Sequence, residues 1–200
     1  MKIERIEIHL IRVPFDMGAA PKAFAGMNWT SVDSLFVRVC TDTGVEGWGE
    51  SWGHVACPTT SAALSSLVGP AFIGRDISHR SSLMAEMAHR FHIHGRSGPV
   101  VYALSAIEIA FLARAHGVDY VPHCFYFGPG FLASLHLAAA YAPEVAFELF
   151  FGDLEASPYH DAVRARDGHL TVPAGPGLGI EPDIAVIDRY RLGMPVVIGR

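Results

Sequence analysis

Apolar side chains occupy every second position from Leu35 to Val39, inside the longer stretch 35–53. This period of two is typical of a strand with one buried face. Asp42–Gly44 then supplies turn residues, and Val45–Ser51 has the composition of a returning strand. The pattern therefore predicts a β-hairpin, and the other elements are placed relative to it.

The N-terminal stretch Lys2–Val13 also alternates apolar with polar residues, which predicts a first strand with one face in water. The segment that follows, Pro14–Thr30, has no period and mixes glycine, proline and alanine with aromatic residues. Loops of this length are usually functional lids or flexible segments, and both interpretations stay open. The aromatic residues favour a lid, because purely solvated loops seldom carry them.

Helical periodicity predicts four helices, and Gly69–Pro70 is expected to end the first of them. They span Thr59 or Thr60 to Val68, Ser78–Phe91, Val100–His116 and Phe131–Tyr141. Further short strands are predicted at Val118–Pro122 and Val145–Phe151, with a second hairpin at Val163–Arg166 and His169–Val172 and an irregular connector at Pro173–Pro182. The predicted fold class is α+β.

Composition narrows the class of protein. The 200 residues are half hydrophobic, enough for a sizeable core, and the net charge of −5 with no basic run argues against a nucleic-acid surface. Three scattered cysteines favour a reducing compartment. The N-terminus shows no signal-peptide pattern, and charges and prolines interrupt the most apolar region, Cys124–Phe151. We expect a soluble, cytoplasmic protein that contacts neither membrane nor nucleic acid.

Candidate catalytic residues are few. His89, His92 and His94 could form a metal site, but no nearby cysteine or carboxylate completes a ligand set, which favours solvated histidines at a helix end. Cys124 beside His123 suggests a nucleophile and its base. Adjacent residues of an extended segment point to opposite faces, however, so this pairing is disfavoured. By themselves, the residues indicate no catalytic centre.

The order of several motifs resembles one known family. The opening strand MKIERIEIHLIRVPF, the hairpin LFVRVCTDTGVEGWGES, the turn IGRD and the helix YALSAIEIA resemble the N-terminal capping domain of the mandelate racemase/muconate lactonizing enzyme group of the enolase superfamily. Downstream, ARAHGVDYVPHCFYFGPGFLASLHLAAA resembles the last strand and helix of that family's barrel, and LTVPAGPGLGIEPD resembles its C-terminal tail. The resemblance implies an antiparallel meander with helices, joined to a barrel remnant and a tail.

The chain departs from the family between these motifs. A (β/α)-barrel of about 250 residues typically lies there, but YALSAIEIA passes directly into FLARAHGV near Ala110–Ala113. About seven βα units are expected to be missing. The resemblance divides the chain into a capping domain at 1–110, a barrel remnant at 111–142 and a C-terminal segment at 143–200 that packs back on the capping domain.

The family's chemistry is expected to be absent with those units. Members bind a carboxylate or acid-sugar substrate on Mg²⁺, and a Lys or His base removes the α-proton. No lysine follows Lys22 in this chain, and the resemblance gives the three metal ligands no counterpart, so no catalytic or metal residue is assigned. It does imply positions around the substrate: Lys22, Phe24, Trp29, Glu50, Trp52, His54, His123 and Tyr126.

Three functional hypotheses follow. The first is an internally shortened, inactive member of a dehydratase, racemase or cycloisomerase family. The second is a non-enzymatic α+β module for binding or oligomerisation, and the third is an enzyme completed by another chain. The isolated final barrel strand, Val118–Pro122, would have unpaired edges, so we expect a homo-oligomer or an aggregation-prone chain.

Overall fold

The computed structural model describes residues 1–21, 23–24, 27–51, 57–92, 127–141, 146–150 and 152–199. Seven strands lie in these ranges: β1 (Ile3–Asp16), β2 (Ala23–Phe24), β3 (Met27–Asn28), β4 (Ser31–Thr41), β5 (Glu46–Ser51), β6 (Asp153–Leu154) and β7 (Val196–Gly199). The α-helices are α1 (Cys57–Ala63), α2 (Gly69–Phe72), α3 (Arg80–Arg90), α4 (Pro129–Tyr141) and α5 (Ile184–Tyr190). The predicted α+β class is confirmed.

The predicted hairpin is present as β4 and β5, which pair antiparallel with Val37 opposite Gly49. Gly44 closes the turn with a φ of 77°, a left-handed value that glycine adopts without steric cost. The expectation of one buried face is wrong, because the neighbours Leu35 and Phe36 are both fully buried. Successive strand residues point to opposite faces, so both faces of the sheet are covered at this position.

The first strand is the centre of the main sheet. β1 pairs antiparallel with β4 over most of its length, from Ile3 to Pro14. On its other edge it pairs with β7 at Arg5–Ile8 and with β6 at Phe15–Asp16. β1 extends beyond the predicted end at Val13, and the short ribbon β2–β3 lies in the segment predicted to be an irregular loop.

The first predicted helix does not end at Gly69–Pro70. A wide π-type turn at Leu64–Val68 joins α1 to α2, and the amide of Gly69 bonds to the carbonyl of Leu64, five residues earlier. Pro70 lies in the first turn of α2, where the missing proline N–H is needed least. The widened turn therefore carries the chain past the proline to Phe72.

Of the predictions for the C-terminal half, one is wrong where it can be checked, one is confirmed in part, and two lie on residues that are not described. Residues 146–150 form no regular structure, so the strand at Val145–Phe151 is wrong for the part that is described. In the second predicted hairpin the turn at Asp167–Gly168 is present, but its flanks meet only at the Arg166–His169 bridge. Val163 instead ends a 3-10 helix, His160–Val163. The predicted helix Val100–His116 and strand Val118–Pro122 lie outside the described residues.

Two clusters of buried residues lie against opposite faces of the sheet. The α1 face is the cluster of Ile3, Ile6, Ile8, Leu35 and Cys57, with side chains of α2 and β7 packed around it. The opposite side of the sheet, which we call the α4 face, carries the cluster that contains Ile11, Val13, Val32, Phe36, Phe127, Phe131, Leu132, Leu135, Tyr159 and Ile187. The second cluster joins the N-terminal sheet to α4, α5 and the segments between them.

Candidate functional site

The structure describes two side chains of the eight residues that the resemblance places around a substrate. These are Trp29 and Glu50; for Phe24 the description is limited to the backbone, in β2. The remaining five, namely Lys22, Trp52, His54, His123 and Tyr126, lie outside the described residues. The geometry below is therefore that of Trp29 and Glu50.

Trp29 belongs to an aromatic cluster with Phe15 and Phe150. The Trp29 ring meets Phe15 edge-on at a centroid distance of 5.2 Å and Phe150 at 5.9 Å, and the two phenylalanines meet at 5.0 Å. Such edge-to-face pairs add about 0.5–1.5 kcal/mol to the burial of the rings. The cluster holds together the end of β1, the residue Trp29 between β3 and β4, and residues 146–150.

Glu50 lies on the α4 face of the sheet, near the end of β5. It is paired with Phe36 of β4, and Ser34, two residues along β4, lies diagonally opposite on the same face. The Ser34 hydroxyl donates to one carboxylate oxygen of Glu50, Oε1. The other oxygen, Oε2, accepts from the backbone N–H of Gly130 at 3.1 Å, and the Gly128 N–H also donates to the carboxylate. We refer to Glu50, Ser34, Gly128 and Gly130 as the Glu50 cluster.

The backbone at the start of α4 is shaped for this contact. A Cβ atom at Gly128 would lie 2.5 Å from Glu50 Oε2 and 2.6 Å from the Phe36 ring, so glycine is required for the close approach. Pro129 is the first residue of the helix, a position suited to a residue without N–H. The free N–H groups of a helix start carry partial positive charge and favour a carboxylate. Sequence reasoning missed Ser34, Gly128 and Gly130, although Gly-Pro-Gly ahead of a helix was a visible signal.

Burial controls the protonation of Glu50. Parts of the residue remain exposed, but its carboxyl group lies among protein atoms, and this desolvation raises its pKa to about 7. The hydrogen bonds from Ser34, Gly130 and Gly128 favour the ionised form, so they act in the opposite direction and are outweighed. At neutral pH the group is consequently a mixture of carboxylic acid and carboxylate.

Two other titratable side chains near Glu50 are neutral at physiological pH. Cys57, at the start of α1, is fully buried, and burial together with the negative charges of Asp33 and Glu50 raises its pKa to about 12. A thiol with this pKa is not an activated nucleophile. Burial also raises the pKa of Tyr159, whose hydroxyl has no hydrogen-bond partner among the described residues. Neither the Cys57 thiol nor the Tyr159 phenol therefore adds a charge beside Glu50 at physiological pH.

A magnesium site does not form among the residues that the structure describes. No three His, Cys, Asp or Glu side chains come together there in a way that could hold a metal ion. His89 and His92 stack at a centroid distance of 5.5 Å on the exposed end of α3, while His94 lies outside the described ranges. Since the described residues do not fit Mg²⁺, no chemical step is assigned to it. None of the described helices is long and apolar enough to cross a membrane.

Comparison with sequence models of known families gives two overlapping matches. The N-terminal domain of mandelate racemase/muconate lactonizing enzyme matches residues 6–119, more than half of the chain. The enolase C-terminal domain-like family matches residues 103–186. Both matches include residues 103–119, so no stretch of chain separates the two domains.

Individual relatives are similar over part of their length. The D-galactarolactone cycloisomerase of Agrobacterium fabrum is 31% identical over 44% of this chain, which spans 26% of that protein. Muconate cycloisomerase 1 of Rhodococcus opacus is 27% identical over 85% of this chain and 46% of that protein. A crystal structure of a candidate mandelate racemase/muconate lactonizing enzyme from Roseovarius nubinhibens ISM, complexed with magnesium, is 27% identical with a TM-score of 0.39, covering 57% of this chain and 34% of that one. The chain thus spans from about a quarter to about half of these relatives.

Proposed function

Because this chain belongs to the mandelate racemase/muconate lactonizing enzyme family of the enolase superfamily, we propose that it is an internally shortened member that is inactive by itself. The observation that carries the proposal is the overlap of the two family matches at residues 103–119. In a family member of ordinary length, a barrel of about 250 residues would begin in this region. Here the N-terminal match runs directly into the C-terminal one.

The proposed organisation keeps the cap and the end of the family fold. Residues 1–110 form the capping domain, 111–142 the remnant of the barrel, and 143–200 a C-terminal segment that packs on the cap. The last assignment is supported by β6 and β7, which both pair with β1. The close contact between Glu50 and the start of α4 supports a direct junction of cap and barrel remnant.

Loss of activity follows from the chemistry that the family needs. Removal of an α-proton from a carboxylate or acid-sugar substrate requires a base and, in this family, Mg²⁺ to stabilise the enediolate. The chain has no lysine beyond Lys22, and no catalytic or metal-binding residue is proposed. The eight positions named from the resemblance, including Trp29 and Glu50, are proposed to descend from the substrate pocket of a longer cytoplasmic enzyme.

A second function, an oligomerisation module, is favoured by the C-terminal strand. Met194, Val196 and Val197 are 81%, 41% and 51% exposed on and beside β7. β7 pairs with β1 on one edge, and a further strand would cover these apolar side chains if it added to the other edge. Sedimentation velocity at several concentrations tests this function, and a monomer throughout would exclude it.

Proton exchange provides the test of activity. The purified chain is incubated in D₂O with Mg²⁺ and a panel of acid sugars, and exchange of the α-proton is followed by ¹H NMR. We expect no exchange above a protein-free Mg²⁺ control. Clear exchange by the pure chain would overturn both the inactive-member and the module proposals, since either requires that the catalytic residues be absent.

The gene sequence across Ala110–Ala113 tests the internal shortening independently. We expect one uninterrupted reading frame in genomic DNA across these four codons. Recovery of an additional coding segment of several hundred bases at this point would show that the short chain is an assembly artefact, and the proposal would fail.

A further inference from the structure

We propose that Glu50 fastens the cap to helix α4 as a neutral carboxylic acid, and that it takes up one proton from solvent when α4 docks. The proposal makes docking of α4 dependent on pH near neutrality. It rests on the contacts of the Glu50 cluster, and it holds or fails independently of the function proposed above.

The positions of the two carboxyl oxygens accommodate a protonated Glu50, and burial favours it. Oε1 faces the hydroxyl of Ser34, a group that donates and accepts equally well, whereas Oε2 faces the backbone N–H of Gly130, which can only donate. A protonated Oε1 can therefore donate a hydrogen bond to Ser34 Oγ while Oε2 still accepts from the N–H of Gly130. When the carboxylate becomes an acid, the Ser34 hydrogen bond reverses its direction, the Gly130 hydrogen bond is kept, and the cost of burying a negative charge is removed.

The cluster also joins parts of the chain that are distant in sequence. Glu50 and Gly130 are separated by 80 positions, and this hydrogen bond attaches β5 to the first turn of α4. Gly128 lies against both the carboxylate and the Phe36 ring, so the start of α4 cannot move away without exposing this apolar contact. Docking of the helix and burial of the carboxyl group are consequently one event.

In any pH experiment, the effect of other titratable groups near the Glu50 cluster must be distinguished from that of Glu50. On the described parts of the elements packed around it, the titratable and charged side chains are Asp33, Arg38 and Cys40 of β4, Cys57 of α1, Tyr159, His136 of α4, Glu46 of β5, and Glu4, Arg5, Glu7, His9, Arg12 and Asp16 of β1. Burial lowers the pKa of His9, so its charge change opposes docking in acid, the reverse of the effect of Glu50. His136 bonds to the carbonyl of Leu178 at 3.1 Å and is a second group to control.

The sign of the effect follows from proton linkage. The pKa of Glu50 is about 7 with α4 docked, against an ordinary value of 4.5. The docked state therefore binds more protons between these values, and docking is strengthened as pH falls from 8 toward 5. For one proton, the docking equilibrium constant is about tenfold larger at pH 6 than at pH 8.

Hydrogen exchange of the full chain, followed by mass spectrometry, measures this change. We expect amides in 130–141 to be about tenfold better protected at pH 6 than at pH 8, after correction for intrinsic exchange rates. In Glu50→Gln, whose amide can also donate to Ser34 and accept from Gly130, protection should be retained and its pH dependence lost. The matched controls Glu46→Gln, on the same strand, and His136→Gln should keep the wild-type pH dependence.

Two results would overturn the proposal. One is protection of 130–141 that does not change between pH 6 and pH 8 in the wild-type chain. The other is a Glu50→Gln chain with weaker protection than the wild type at pH 6, since this would mean that the negative charge is needed. A direct measurement requires no variant: the ¹³C shift of the Glu50 carboxyl should titrate near pH 7, and a midpoint near 4.5 would also overturn the proposal.

Discussion

The two faces of the main sheet are built from the same strands but in different ways. The α1 face is a uniform apolar cluster of Ile3, Ile6, Ile8 and Leu35 around Cys57. The α4 face is mixed in character. At one end it carries the polar side chains of Glu7 and His9, and His9, Phe36 and Glu50 lie side by side on three neighbouring strands. This face ends in the apolar cluster around Phe36 and Tyr159.

The two faces are therefore stabilised by different interactions. On the α1 face, hydrophobic burial is sufficient, and pH should hardly affect it in the neutral range. On the α4 face, a buried carboxyl group, a buried imidazole and a phenol without a described hydrogen-bond partner lie among the apolar contacts. Burying a polar group without a hydrogen bond costs free energy, and burying it in its charged form costs more. Stability of the α4 face should therefore depend on protonation, whereas that of the α1 face should not.

The largest effect is expected from removal of either of two neighbouring core side chains. Leu35→Ala should cost about 3 kcal/mol and Phe36→Ala about 4 kcal/mol of unfolding free energy, because both are fully buried. The two substitutions should weaken different regions. The rate of amide hydrogen exchange should rise mainly in α1 and α2 for Leu35→Ala, and mainly in α4 for Phe36→Ala. Equal deprotection of both regions by both variants would show that the faces are not separate units.

Local patterns made the hairpin predictable, whereas long-range pairing escaped prediction. The turn at Asp42–Gly44 and the alternation beside it determine β4 and β5 within a short stretch of chain. β7 is four residues long, and its partner β1 begins almost 200 residues earlier, so no local pattern indicates the pairing. The helix that passes Pro70 was missed because a widened turn removes the usual cost of proline.

The candidate site was predictable to a similar, limited extent. The end of β5 places Glu50 at the border of a pocket by resemblance to the family, and that role remains a prediction. Its contacts with Ser34 and with the start of α4 depend on how α4 packs on the sheet, and this packing leaves no signal in the spacing of residues. The buried carboxyl group is therefore visible only in the folded chain.

The next effect concerns His9, which lies on the α4 face beside the Trp48 ring at a centroid distance of 5.4 Å. It is 7% exposed, no described residue gives either ring nitrogen a hydrogen bond of good geometry, and Glu7 Oε2 lies 3.4 Å from Nε2. Burial lowers the pKa of His9 below 6.5, more than Glu7 raises it. The folded state then binds fewer protons than the unfolded state, so stability is present above pH 6.5 and lost as pH falls below it.

Urea unfolding in the Glu50→Gln background isolates this contribution, because the opposing effect of Glu50 is then absent. The unfolding free energy should fall from pH 7.5 to pH 5.5, with a slope of at most about 1.4 kcal/mol per pH unit. The additional change His9→Phe should remove the fall, whereas His89→Gln, on the exposed end of α3, should leave it. A flat profile before His9 is changed would contradict the assignment.

The smallest effect is expected at Tyr159, on the α4 face. This side chain is 1% exposed and its hydroxyl has no hydrogen-bond partner in the described parts of the chain, so the folded state bears the cost of desolvating that group. Tyr159→Phe keeps the ring against Phe36, at a centroid distance of 6.4 Å, and removes the hydroxyl. We expect a gain in stability of about 1 kcal/mol or less, measured by urea unfolding at pH 7, where the phenol is neutral in both states. A loss larger than 1 kcal/mol would mean that the hydroxyl has a partner in solution, and the α4 face would then contain one more polar contact that holds it to the sheet.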